Sequence, residues 1–374
     1  MSKRDKRGNG QGTLYQRSGR RGWFGAVTAN GKRKIVHAET KTEAAHLLAQ
    51  TIAQREAGRL VVAPNQSTGA YLQQWLEQVV KPRVRPGTYR GYEQLVRTHL
   101  VPALGKTRLD RLAPAQVQAV LNAKLEGGLA PATVRYIRAV LRSALKHAVR
   151  WGLAGYNAAE LVDGPRVERE EIRPFTPAQA RQLLDAAHGD RLEALYAVAL
   201  SMGLRQGEAL GLRWEDVELD DGLIHVRRQL LRTKAGLAVA PVKTARGRRT
   251  LTMPTTIVET LAAHRQRQLA AGIAPTGYVF TTIGGKPLDA RNVVRAFKGL
   301  LRKAALPDRR FHDLRHSAAT LLLVQGVPAR VVMDILGHSQ IQVTLGTYSH
   351  VLPELHRDAA DRMDAILRRE PARP

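Results

Sequence analysis

The chain has 374 residues, with 59 Lys plus Arg against 32 Asp plus Glu, a formal net charge of +27 and no Cys. That length allows two or three domains, and 44% hydrophobic residues supply a core for each, which excludes wholesale disorder. Without Cys there is no disulfide framework, thiolate nucleophile or Cys-ligated metal; no apolar run of about 18 residues marks a membrane span, and MSKRDKRGNG has no apolar stretch behind it to read as a signal peptide.

Charge density falls along the chain. Residues 1–60 hold 13 basic and 4 acidic side chains, residues 61–166 hold 15 and 6, and residues 167–374 hold 31 and 22. The first 34 residues carry Lys3, Arg4, Lys6, Arg7, Arg17, Arg20, Arg21, Lys32, Arg33 and Lys34 against the single acid Asp5. A polyanion partner explains this gradient, because each cation that neutralises a phosphate releases counterions. A solvated basic tail is the alternative.

In chain order, TLYQR, WFGAVTA and KRKIVHA read as three short strands, with turns at Ser18 to Gly22 and at Asn30 and Gly31. Thr40 and Glu43 have capping-box spacing ahead of a helix with Ala45, Leu47, Leu48 and Ile52, and Trp23 and Phe24 are expected in the core of this small module. GRLVVAPNQST reads as a linker. From Thr68 to Gly155 the pattern is helical, broken at Pro82 to Gly87, Leu104 to Leu112 and Gly127 to Pro131, which gives four helices. The last carries the stripe Val134, Ile137, Val140, Leu141, Ala144, Leu145 and Ala148. On another face Arg135, Arg138, Arg142 and Lys146 form a basic ridge, readable as a DNA-backbone contact or as a solvated face.

A second linker, DGPRVEREEIRP, precedes Thr176, Pro177 and Gln179, which place a cap, a first-turn proline and a capping-box partner at the start of a new helix. Helices dominate thereafter, interrupted by GLIHVRRQLL, GLAVAPVK and RRTLTM as strands of a small antiparallel sheet, with GYVFTT as a further strand. The fold expected is multidomain and mainly α: a small α+β module over 1–60, a four-helix domain over 67–165, and a mixed, mainly α domain with a small antiparallel sheet over 173–374.

The last region holds four islands too polar for a helical core: SMGLRQGEALGL, APVKTARGRRTL, FHDLRHSAATLL and LGHSQIQVTLGTYSH. Arg205 follows an apolar run and Arg315 lies in an amphipathic helix, so both are expected to be partly buried, with Glu208 placed to pair with Arg205. Together Arg205, Arg315, Lys243, His312, His338 and Tyr348 suit metal-free attack on a phosphodiester. Such a reaction needs cations on the equatorial oxygens, a nucleophile, and a proton donor for the leaving oxygen. HDLRH also approximates the HExxH zinc pattern, but Arg315 stands beside the second His and no third ligand is tied to it by spacing. No metal or cofactor is expected.

The islands resemble the tyrosine recombinase (phage integrase) family over roughly residues 68 to 370. RQGE is similar to its first Arg box, KTARGRR to its sheet-turn Lys, HDLRH to its HxxR box, LGH to its last His position and TYSH to its nucleophile box. The N-terminal module resembles the arm-site-binding domain of integrases that use two kinds of DNA site. The resemblance implies that Tyr348 attacks a scissile phosphate to form a 3′-phosphotyrosyl link, that Arg205 and Arg315 clamp the non-bridging oxygens, and that Lys243 protonates the departing 5′-oxygen. It further implies His312 as proton acceptor for Tyr348, His338 as a hydrogen-bond donor to the phosphate, and Glu208 as the residue that orients Arg205 or His312.

Residues 67–165 then become a core-binding domain, and Arg17, Arg20, Arg21, Lys32, Arg33 and Lys34 candidate arm-DNA contacts. The implied partners are double-stranded DNA at core and arm attachment sites and three further copies of the chain. Four protomers would exchange strands through a Holliday junction to integrate or excise mobile DNA. A host DNA-bending protein and an excisionase are candidate accessory partners, no membrane is involved, and the expected location is the cytoplasm, at the prokaryotic nucleoid. The tail positions Leu355, Ala359, Met363 and Ile366 share one helical face, for docking on a neighbour or within the chain. YNAAELV departs from the Asn-Pro of many relatives and implies a changed helix end only. A type IB topoisomerase and a catalytically silent DNA-binding regulator are the rival readings. The two-linker layout argues against the first and the intact set of six residues against the second.

Overall fold

The computed structural model describes residues 12–29, 32–56, 66–168, 173–233, 235–242, 244–274, 277–337 and 363. The chain divides into two compact units, 1–169 and 170–374.

The first unit begins with an antiparallel sheet in the order β1 (Thr13–Tyr15), β2 (Trp23–Ala29) and β3 (Lys32–Ala38), followed by α1 (Lys41–Glu56). The capping box is present: Glu43 N donates to Thr40 Oγ1 at 3.2 Å and Thr40 N to Glu43 Oε2 at 3.4 Å. Leu48 and Ile52 of α1 pack on Leu14, Val27 and Val36. Gly25 lets the helix come close, since a Cβ there would lie 3.0 Å from Leu48 Cβ.

Adjacent residues of a strand face opposite ways, so Trp23 and Phe24 cannot both pack under α1. Phe24 is buried instead on the face turned from the helix, paired in register with Tyr15 and His37. Its ring stacks on Tyr15 at 5.8 Å and lies 4.6 Å from His37, and Arg17 sits over it. Arg33 lies over Tyr15 in the same way, and Trp23 is half-buried beneath Lys41.

Residues 68–150 form four rods. The first is α2 (Thr68–Trp75) with a π-helical turn, Leu76–Val80; the second is α3 (Pro86–Leu95), a π turn, Val96–Leu100, and α4 (Val101–Leu104). After a 3₁₀ turn, Leu109–Arg111, come α5 (Pro114–Glu126) and α6 (Pro131–Arg150). Both π turns have the same origin in sequence. Lys81 N bonds to Leu76 O and Val101 N to Val96 O, five residues back, and in each case the next residue is a proline with no N–H to offer. The buried positions Tyr71, Trp75 and Val79, with Leu72, Leu76 and Val80, recur at steps of four, and so do Val96, Leu100 and Leu104. In a pure α-helix that spacing drifts by about 40° per step. The wider π turn keeps these side chains on one face.

The α6 stripe is buried at all seven expected positions. Residues 154–162 fold back on it: Asn157 Nδ2 donates to Arg142 O at 2.9 Å, and Ala154, Ala158, Ala159 and Val162 join its core. From the basic ridge, Arg138 Nη2 donates to Val162 O at 2.5 Å and Arg142 Nε to Glu160 Oε1 at 3.1 Å, while Arg135 and Lys146 are exposed.

The second unit opens with α7 (Pro177–Ala187), whose capping box is formed by Gln179 N to Thr176 Oγ1 at 3.2 Å and Thr176 N to Gln179 Oε1 at 3.1 Å. Next come α8 (Glu193–Met202), α9 (Gln206–Leu210), a 3₁₀ turn, Trp214–Asp216, and five strands. These are β4 (Val217–Glu218), β5 (Leu223–Val226), β6 (Arg228–Thr233), β7 (Gly236–Pro241) and β8 (Arg249–Thr252). Four helices follow: α10 (Thr255–Ala270), α11 (Ala290–Lys303), α12 (Asp313–Val324) and α13 (Ala329–Leu336). Helix α8 is apolar almost all round and lies in the middle of the core, against α7, α10 and α12.

Two strand expectations change. GLIHVRRQLL is not one strand: β5 pairs with β4 and β8, whereas β6, among the described residues, pairs only with β7. The break falls at Arg227, where Arg227 and Arg228 both reach the buried Asp216 Oδ1, at 3.4 and 3.3 Å. Consecutive side chains drawn to one carboxylate cannot keep the alternation of a strand. GYVFTT forms two isolated bridges and no strand: Trp214 N to Gly277 O and Val279 N to Leu212 O hold the first, and Thr282 N to Lys286 O accompanies the second, each too short to continue as a ladder. No helix of the described residues is long and apolar enough to cross a membrane.

Candidate active site

The first Arg box begins where α8 stops. Gly203 closes that helix in the left-handed region (φ 59°), and a Cβ there would meet Leu336 Cδ2 at 2.6 Å. Only glycine combines that backbone with that approach. The turn leaves Gly203 O to accept Arg315 Nη1 at 2.7 Å and places Arg205 at the N-terminus of α9.

Glu208, 3% exposed, takes Arg205 Nη1 on Oε1 at 2.6 Å and Arg205 N on Oε2 at 3.1 Å. Burial by itself would raise this carboxyl, but the Arg249 and Arg205 cations outweigh that and hold it below the usual Glu range. Arg315, 2% exposed, comes from the first turn of α12 and donates Nη2 to Leu336 O at 2.5 Å. Arg205 Nη2 reaches the next carbonyl, Gly337 O, at 3.3 Å. The two arginines therefore converge on the C-terminal end of α13, from which the chain runs directly to His338.

His312 stands just ahead of α12, with its ring 5.1 Å from His316 and perpendicular to it. Its ring reaches solvent, yet the crowded site withdraws water from the imidazolium, and the Arg315 and Arg205 cations add to that. His312 is thus held below the ordinary His range. His316 is pushed down further, to about 4, by burial and by His312. Asp313 is tied by Arg310 Nη2 at 3.0 Å and Arg310 N at 2.8 Å, which fixes the start of α12. Among the described residues no three His, Asp or Glu side chains are grouped as metal ligands.

The structure thus brings Arg205, Glu208, Arg315 and His312 together. Lys243, His338 and Tyr348 lie outside the described residues, as do the Lys32 side chain and the tail positions Leu355, Ala359 and Ile366; Met363 is exposed. Of the N-terminal candidates, Arg20 and Arg21 are exposed, and Arg17 and Arg33 lie over the aromatic face. No motif marks Arg249, whose side chain is 8% exposed and whose Nη2 donates to Glu208 Oε2 at 3.1 Å. Its signal is the alternation of β8, which places Arg249 on the inward side with Leu251 and Met253.

Comparison with known proteins agrees with this geometry. Residues 173–354 match the phage integrase family, and residues 69–125 match the phage integrase N-terminal SAM-like domain. An integrase of Saccharopolyspora erythraea is 30% identical, covering 97% of this chain and 98% of its own. A XerC-like tyrosine recombinase of Caldanaerobacter subterraneus subsp. tengcongensis is also 30% identical, covering 95% and 98%. The Tn1549 transposon integrase in complex with a circular intermediate DNA superposes with a TM-score of 0.69 at 24% identity, over 80% of this chain and 99% of its own. A lambda integrase tetramer bound to a Holliday junction gives 0.57 at 18% identity, over 87% and 95%. The chain belongs to the phage integrase family, the tyrosine recombinases: it is an enzyme of site-specific DNA recombination that cuts and rejoins DNA strands.

Proposed function

We propose that Tyr348 is the nucleophile of this recombinase and that Arg205 and Arg315 are its phosphate clamp. The observation that carries the reading is their convergence on adjacent carbonyls, Leu336 O and Gly337 O, immediately ahead of His338. A phosphate seated there meets two guanidinium groups, which stabilise charge growing on its non-bridging oxygens. His312, neutral at working pH because its proton affinity is lowered, can accept the phenolic proton of Tyr348. The Tyr348 oxygen then bonds to phosphorus, the 5′-oxygen leaves with a proton from Lys243, and His338 donates to the phosphate. Glu208 holds Arg205. Reversal of the step by another 5′-hydroxyl rejoins the strand, and no metal is required.

The division of labour follows the three stretches 1–60, 67–165 and 173–374. The first, with Arg17, Arg20, Arg21, Lys32, Arg33 and Lys34, holds arm DNA. The second grips core DNA with the ridge of α6, led by the exposed Arg135 and Lys146 and continued by Arg138 and Arg142. The third carries the chemistry. Four copies act on a Holliday junction, a stoichiometry supported by the lambda integrase tetramer, and a DNA-bending protein and an excisionase join at arm-bearing sites in the bacterial nucleoid.

The test is a nicked attachment-core duplex incubated with EDTA, which traps the covalent protein–DNA adduct. Wild type should accumulate adduct and Tyr348→Phe none. Adduct in the variant, or a requirement for metal in the wild type, would overturn the reading.

A further inference from the structure

Three consecutive carbonyls close α13, and each receives a different guanidinium. Ile335 O accepts Arg249 Nε at 2.6 Å, Leu336 O accepts Arg315 Nη2 at 2.5 Å, and Gly337 O accepts Arg205 Nη2 at 3.3 Å. The last carbonyls of a helix have no intrahelical partner and form the negative end of its dipole, so cations are favoured there. Two of these arginines are the clamp. Arg249 differs: each of its three nitrogens has a partner inside the protein, with Nη1 on Gly247 O at 2.9 Å and Nη2 on Glu208 Oε2 at 3.1 Å.

We propose that Arg249 is a positioning residue of the recombination reaction, locking Glu208 and the end of α13 together so that Arg205 is aimed, and left electrostatically free, to bind the scissile phosphate. The inference rests on the reading of Arg205 as a clamp. Its physical basis is charge balance. Glu208 lies between two cations, so Arg205, Glu208 and Arg249 together carry a single net positive charge, which is available to a phosphate. Without Arg249 the buried carboxylate is matched by Arg205 alone. The cluster becomes neutral, and Arg205 is drawn back onto Glu208. Geometry adds to this, since Gly337 leaves the helix in the left-handed region (φ 65°), and a Cβ there would stand 3.2 Å from Arg249 Nη1. The turn at Gly337 is therefore shaped around this side chain.

The experiment uses the full chain and the nicked attachment-core duplex, reading two quantities: affinity for the duplex, and the first-order rate of adduct formation at saturating DNA. Arg249→Met should keep affinity within about 3-fold while the rate falls about 10²-fold, the scale of losing one transition-state donor. Adding Glu208→Gln to Arg249→Met restores the net charge and should recover about 10-fold, and Arg249→Lys should stay within about 10-fold of wild type. A residue that merely supports the fold would instead lose rate and affinity together, and neutralising the carboxylate left without its partner would return both together. A wild-type rate for Arg249→Met would overturn the proposal, as would a joint loss of rate and affinity, whether or not Glu208→Gln restores them. Arg249→Gln serves the same comparison should the Met variant not fold. Absence of a Tyr348 adduct in the wild type would instead remove the reading on which the inference rests.

Discussion

His316 shows how far one side chain can couple the site to pH. Burial and the neighbouring His312 push it from 6.5 to about 4, so between those values the unfolded chain takes up the proton and the folded chain does not. Stability from this group is therefore complete above about pH 6.5 and is lost as pH falls towards about 4. We expect His316→Gln to remove up to about 2 kcal/mol of the stability loss that wild type suffers between about pH 7 and pH 5. Urea midpoints of the two proteins at both pH values check this, and equal losses would refute it. The same scale shows what the sequence made legible. Arg205, Glu208 and Arg315 could be named because a charged group inside an apolar pattern needs a reason. Arg249 sits among other cations in ARGRR, where only the inward phase of β8 tells it from its neighbours Arg246 and Arg248.

Local chemistry decides how well an element is read. The starts of α1 and α7 were legible because a capping box lies within four residues of sequence, and both reciprocal bonds are present. Thr176→Ala should cost about 1 kcal/mol of unfolding free energy and leave adduct formation unchanged, since among the described residues the Thr176 hydroxyl makes only this local cap. A denaturation curve beside an adduct assay tests both halves. Strands fare worse, because pairing is settled by distant partners. Whether 223–233 is one strand or two depends on a buried acid, Asp216, that no period-two pattern reveals. The π turns were hidden as well: period four reads as an ordinary helix stripe until the bonds are counted.

Across the whole molecule, the charge gradient becomes a statement about salt. If arm DNA is held by residues 1–60, deleting them should weaken arm binding and flatten its dependence on salt by about 0.9 in log–log slope per lost phosphate contact. Core-site adduct formation should persist. Titration of both duplexes across a salt series decides it, and a joint collapse would show that the N-terminal stretch is not a separable binding module. The rods of 68–104 have another consequence. Each π turn holds one residue more than an α-helix would, so removing a single residue from 96–100 would leave a well-bonded helix. It would also keep Leu104 on the buried face, because Val96 to Leu104 would then be seven α-helical steps, about 700° or some 20° short of two full turns. Loops absorb changes of length at the surface, whereas these rods absorb one residue inside a helix, at the π turn, without turning the buried face away.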